Sequence, residues 1–406
     1  MNSKTRERDA INQEGRNIKL VGHSDVGGCP NGGQIAVRRR GGKHLAFVSH
    51  MSKKGFSIVD VTDPREPDTI AQTPVTPGTH SHKLRVYGRH LFLNQEQDGN
   101  ASSFRAGLSI YDISDLKRPE EVHFYETGGT GVHRFWIDEK EKRAYLTTGM
   151  DGYRGRILVI LDVSEPQRPR EISRWWMHGQ WESGGESFGA DNGGEATAHG
   201  PPIPYGNYIF LGYWDGGTVV LDRTDLRNLT LVSNLNFFPS YGGNTHTALP
   251  VQRTIMGRKW LVVTDESMHD NCREGIKALW LIDRTHPSCL VPVSTFQILD
   301  SRFCKIGGRF GPHNVHEDTK VTGNLIYVTW FNAGLRVIDI SNPYIPREVA
   351  FFIPETPSGQ KAIQTNDLTL DSRGFIYTID RLNGGMHILK ADRSIFNKRH
   401  PGSRSV

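Results

Sequence analysis

Histidine recurs along the chain in similar company: His80-Ser-His82, Val132-His133, Ala198-His199, Thr245-His246 and His313-Asn-Val-His316. Each stands just before or within the start of an apolar segment. A lone histidine at such a place is an ordinary hydrogen-bonded turn residue, but recurrence at one position of a drifting repeat asks for a shared role. Converging neutral imidazoles suit a first-row transition ion: iron, copper, manganese or zinc. Without a metal, several protonated rings in one narrow space would repel. The sequence nominates His82, His133, His199, His246 and His316 as metal ligands, with His80 or His313 adjacent. Three or four ligands leave a position for substrate or water. Candidates for acid–base or orienting roles are Glu195, four residues before His199, Glu317 beside His316, and His313. The competing reading of either carboxylate is an ion pair with Arg134 or Arg309.

The elements that must position these residues form a repeat. An apolar strand ending in aspartate appears at Phe56-Ser-Ile-Val-Asp60, Leu108-Ser-Ile-Tyr-Asp112, Leu158-Val-Ile-Leu-Asp162, Thr218-Val-Val-Leu-Asp222, Leu279-Trp-Leu-Ile-Asp283 and Leu335-Arg-Val-Ile-Asp339. The aspartates stand 52, 50, 60, 61 and 56 residues apart, and a worn copy, Met386-His-Ile-Leu-Lys390, follows after 51 more. A turn rich in Asp, Asn and Pro comes after most copies, and other short apolar strands flank them. Four antiparallel strands in about fifty residues is the size of a propeller blade. The expected fold is therefore all-β, a seven-bladed propeller.

The last copy lacks a fourth strand, whereas Asn17-Ile-Lys-Leu-Val-Gly-His23 resembles a fourth strand with no sheet of its own. Joining the two would close the ring and remove exposed sheet edges. The expected division is a tail over 1–16, one propeller over 17–395 and a second tail over 396–406. In such a ring the innermost strands line a central channel, which is where the histidines would meet. The exits of the second strands carry His50, Glu96, Asp215, Glu266, Trp330 and Arg381, expected at some distance from the histidines.

The strand-Asp-turn copies, above all Gly55-Phe-Ser-Ile-Val-Asp60 and Ala333-Gly-Leu-Arg-Val-Ile-Asp-Ile-Ser-Asn-Pro343, resemble the LVIVD-repeat family of β-propellers. Arg309-Phe-Gly-Pro-His-Asn-Val-His-Glu317 is similar to members of the same group. The resemblance spans nearly the whole chain from about residue 17 and implies the fold; it implies no particular chemistry. In architecture the expected site is similar to propellers with axial histidines, among them carotenoid-cleaving oxygenases and selenium-binding proteins.

Composition excludes several classes. The net charge is +5, from 49 basic and 44 acidic residues, and the basic residues are scattered apart from Arg38-Arg39-Arg40 and the chain ends, which argues against nucleic acid. No apolar run approaches the roughly 20 residues that span a bilayer. Met1 to Arg16 has no apolar core of a signal segment, so a cytoplasmic location is expected. Cys29, Cys272, Cys289 and Cys304 show no paired spacing and read as reduced thiols. There is no Walker loop, dinucleotide fingerprint or nucleophile elbow.

Two longer segments stand out. Trp175 to Glu195 is either a cover for one mouth of the channel or a packing insert. Asp265 to Glu274 gathers carboxylates, His269 and Cys272, a weak second metal site. The expected function is a metal-dependent enzyme acting on a small organic molecule, of oxidoreductase or oxygenase class because an imidazole set favours redox metals. Metal-assisted lyase or hydrolase chemistry and a non-catalytic scaffold are the alternatives.

Overall fold

The structure, a computed structural model, describes residues 12–51, 54–188, 195–275 and 277–396. Its aspartates explain the repeat. Each accepts the backbone N–H two residues on: Asp60 from Thr62, Asp112 from Ser114, Asp162 from Ser164, Asp222 from Thr224, Asp283 from Thr285 and Asp339 from Ser341, at 2.7–3.0 Å. This side-chain turn fixes the reversal that follows each strand. Just before each of these aspartates the ladder to the next strand slips by one residue, for example between Ile160 and Leu161 or Val220 and Leu221. Such bulges sharpen the local twist.

The chain is all-β and its sheets are antiparallel. Gly32–Arg40, Lys43–His50, Lys54–Asp60 and Asp68–Pro74 form the first sheet in that order. The arrangement recurs over residues 84–126, 131–175, 203–235 and 245–296, the first two of these joined where Gly131 pairs with Glu96. Leu325–Thr329, Leu335–Asp339 and Arg347–Ile353 form the next sheet, and Thr365–Leu370, Phe375–Asp380 and Met386–Ala391 the last. The last sheet takes its fourth strand from the other end of the chain: Ile18–Ser24 lies antiparallel to Met386–Ala391, with Ile18 opposite Ala391 and His23 opposite His387.

The core lies between sheets. Leu45, Phe47, Phe56 and Ile58 of the first sheet pack on Leu84, Leu91 and Leu93 of the second. Tyr377, Ile379 and Ile388 of the last pack on Val37, Ala46 and Val48 of the first. A strand covered on both faces needs no polar alternation, which is why the copies read as unbroken apolar runs.

Some expectations need correction. Residues 1–11 and 397–406 lie outside the described residues, but the expected N-terminal tail is not all tail. Glu14–Arg16 adds a strand to Arg347–Ile353, held by an Arg302–Glu14 ion pair at 2.7 Å. Cys272 and Cys304 form a disulfide, S–S 2.02 Å, rather than remaining thiols. Their 32-residue separation hid the pairing, which depends on two loops meeting in space. The weak metal site at 265–274 is spent elsewhere, since Glu274 accepts N–H bonds from Met268 and His269 and Cys272 is bridged. Among the described residues no helix is long and apolar enough to cross a membrane.

Candidate metal and substrate site

The innermost strands carry a second bulge, and this one sets the site. The register slips between Val132 and Arg134 around His133, between Thr245 and Thr247 around His246, and between Thr365 and Asp367 around Asn366. The extra residue of a bulge leaves the ladder and re-aims its side chain. His133 and His246 are those residues. Close backbone approach helps: a Cβ on Gly200 would lie 1.7 Å from the His246 carbonyl oxygen, so only glycine fits there.

Six imidazoles stand in a row at this mouth. Ring centroids are separated by 4.1 Å for His80–His82, 4.8 Å for His82–His133, 4.5 Å for His133–His199, 5.2 Å for His199–His246 and 4.5 Å for His246–His313. His82, His133, His199 and His246 are thus brought together, and His80 and His313 join them. His316 does not. It lies three residues beyond His313 on an extended segment, and an odd step points to the opposite side. Together with Glu317, it lines a separate cavity of about 560 Å³ at the other ends of the innermost strands, beside Trp136 and Leu368. Glu317 is bound there by Arg85 at 2.6 Å, the ion-pair reading with a different arginine. Glu195 is exposed, its backbone N–H bonded to Asp215, and does not line the mouth.

The carboxylates that do reach the imidazoles are Glu96 and Glu266, at second-strand exits. The expectation of distance was wrong because an antiparallel hairpin sets the end of its second strand beside the start of its first. Glu96 accepts from His133 Nδ1 at 2.7 Å and from Arg156 at 3.3 Å. Glu266 accepts from His199 Nε2 at 3.2 Å and Arg309 at 2.9 Å, with His246 Nε2 at 3.7 Å and His313 Nε2 at 3.6 Å. In two groups, His80, His82 and Glu96, and His199, His246 and Glu266, the donor atoms lie within 4.8 Å of one another. His246 Nε2 is buried and has no hydrogen-bond partner, an open donor of the kind an ion requires.

Burial sets the protonation states. It pushes His82, His133, His246 and His313 well below the usual imidazole value, His80 to about 4 and His199 to about 3, aided by nearby cations including Arg134 and Arg156. The rings are neutral at pH 7. Burial also raises Glu96 to about 7, against the pull of Arg156. Burial would raise Glu266 too, but it is held well below the carboxylate range, with His199 Nε2 and Arg309 donating to it.

The mouth encloses about 130 Å³, lined also by Met51, Lys83, Arg134, Met268, Arg309 and Arg381. No described residue of the Trp175–Glu195 segment lines it; residues 189–194 lie outside the described residues. Its Trp175 packs edge-on against Tyr213 at 5.6 Å and its Glu186 accepts from Gly179 at 2.9 Å, which is a packing insert.

No curated protein matches the sequence. Among solved structures the fold is similar to hydrazine synthase of Kuenenia stuttgartiensis, at 13% identity, TM-score 0.57, 89% of this chain and 96% of that one. It is similar to the periplasmic gluconolactonase of Pseudomonas aeruginosa, at 12%, TM-score 0.52, 84% and 94%. It is similar as well to Raptor of Chaetomium thermophilum, at 13%, TM-score 0.58, 94% of this chain and 30% of that one. At these identities the likeness is one of fold. The chain carries the LVIVD repeat, its family model matching residues 204–236 and 316–352, as expected of an LVIVD-repeat propeller.

Proposed function

We propose that the chain is a seven-bladed propeller closed by Ile18–Ser24, and that its histidine-lined mouth is the active site of a metal-dependent enzyme acting on a small organic molecule. The carrying observation is the group His199, His246 and Glu266, in which His246 Nε2 is buried without a hydrogen-bond partner. Two imidazoles and one carboxylate suit non-haem iron and oxygenase chemistry; the same donors suit zinc in hydrolases. A bound ion of either kind would supply Lewis acidity, and iron would supply redox capacity. His80, His82 and Glu96 form a second group of donors, and His133 and His313 flank the two.

The chain's own residues then have defined tasks. Arg156 donates to His199 Nδ1 at 2.9 Å, so the ring proton of neutral His199 sits on Nε2. With an ion held at Nε2, the ring proton of His199 would belong on Nδ1, and Arg156 would keep Glu96, which it already touches, as its acceptor. His313 is oriented by Nδ1 donating to Asn366 O at 2.8 Å. Two of the structures similar in fold are named as enzymes, which agrees with this reading. The disulfide favours an oxidising compartment over the cytoplasm. The expected partner is a small molecule, not nucleic acid or membrane.

The test is elemental analysis of untagged protein, beside His246→Ala and His199→Ala. About one iron, copper, manganese or zinc per chain, lost in both variants with unchanged circular dichroism, supports the reading. Full metal in both variants, or none in the wild type after growth in ample metal, sinks it.

A further inference from the structure

Four basic side chains, Lys83, Arg134, Arg309 and Arg381, and one carboxylate, Glu266, line the histidine mouth. Lys83 is 2% exposed and Arg134 3%. Among the described residues no carboxylate lies within 4.0 Å of Lys83, Arg134 or Arg381, and only Arg309 has its ion pair, with Glu266 at 2.9 Å. Arg134 spends its donors on neutral groups, Asn314 Oδ1 at 2.8 Å and His313 Nε2 at 3.4 Å, and its Nε is buried without a partner. Asp380, next to Arg381, is occupied by the backbone N–H groups of Gln364, Leu382 and Gly384. Buried basic groups with no carboxylate in direct contact are costly to charge, and an anion bound among them would supply the missing contact.

We propose that the mouth binds an oxyanion group, carboxylate or phosphate, through Lys83, Arg134, Arg309 and Arg381. The inference takes from the preceding section only that this oxyanion belongs to the substrate; the anion site itself stands on charge and geometry. The cavity of about 130 Å³ has the volume of roughly four waters, room for one such group. A divalent ion at His199, His246 and Glu266 would add to the positive excess, so metal and anion should enter together, each tightening the other.

Inorganic phosphate and acetate are titrated separately by calorimetry into the wild type, Arg381→Gln and Lys83→Met in a buffer free of competing oxyanions, and the metal content of each sample is measured. Saturable binding of either probe, weakened at least tenfold in both variants, supports the proposal and names the group. Circular dichroism of both variants checks that they fold. Binding of neither probe to the wild type, or variants that bind as the wild type does, overturns it. Phosphate binding without bound metal sinks the metalloenzyme reading and leaves the anion site standing; bound metal with no anion binding does the reverse.

Discussion

Glu96 Oε2 accepts from His133 Nδ1 at 2.7 Å although 37 residues separate them. The contact is made across an edge between sheets, where Gly131 pairs with Glu96. Glu266 occupies the corresponding second-strand exit of another sheet, following Asp265, which pairs with Thr245. The carboxylates therefore come from the hairpin partners of the histidine strands, and the repeat that aligns the histidines also aligns them.

Glu266→Gln keeps the shape of the residue and removes the charge shared by three imidazoles and Arg309. Metal content after dialysis against a fixed free-metal buffer should fall, with affinity reduced about tenfold or more. Retention of the wild-type metal content would remove Glu266 from the donor set.

The repeat and the convergence of its histidines were legible in sequence because each depends on local order: an apolar run, a closing aspartate, a histidine at a fixed place in the unit. What sequence missed depends on which way a side chain turns. His316 was nominated as a ligand with His313 beside it, but three residues along an extended segment reverse the face, and only His313 reaches the mouth. Lys83 and Arg134 each follow a nominated histidine and were passed over, since a cation in an apolar strand reads as a solvated residue until burial is known. Cys272 and Cys304 meet only when two loops are folded.

Asp222 tests the repeat's turn, where it accepts from Thr224 N at 2.7 Å. Asp222→Ala should cost about 1 kcal/mol, and Asp222→Asn, which keeps the accepting oxygen, much less. Chemical denaturation of the two variants checks this. Equal losses would mean that charge, not the hydrogen bond, keeps aspartate in the repeat.

Closure of the ring is tested at Gly22, where the closing strand presses on the first sheet's turn. A Cβ there would lie 1.9 Å from Pro64 O, a backbone atom that cannot swing aside. Gly22→Ala should destabilise by about 1–3 kcal/mol, the range of overpacked sites. A melting temperature equal to that of the wild type would show that Ile18–Ser24 is not seated as described.

The same seam makes stability sensitive to acid. His387 faces His23 across it, ring centroids 4.8 Å apart. Burial, and secondarily the His23 ring, push His387 down to about 3. The folded state thus holds this ring neutral, while the unfolded chain takes up a proton below its ordinary pKa of about 6.5. A depressed folded value means stability present above about 6.5 and lost as pH falls from there toward 3. The contribution of one such group is about 1.4 kcal/mol per pH unit through that window. His387→Phe removes the titration and leaves an apolar ring near Phe352, 6.4 Å away. Other buried histidines tilt both proteins alike, so the difference in slope between wild type and variant isolates this one. Urea unfolding at pH 7, 6 and 5 should show the variant losing stability less steeply, by about that amount per unit; parallel slopes would mean that His387 is not held neutral at the seam.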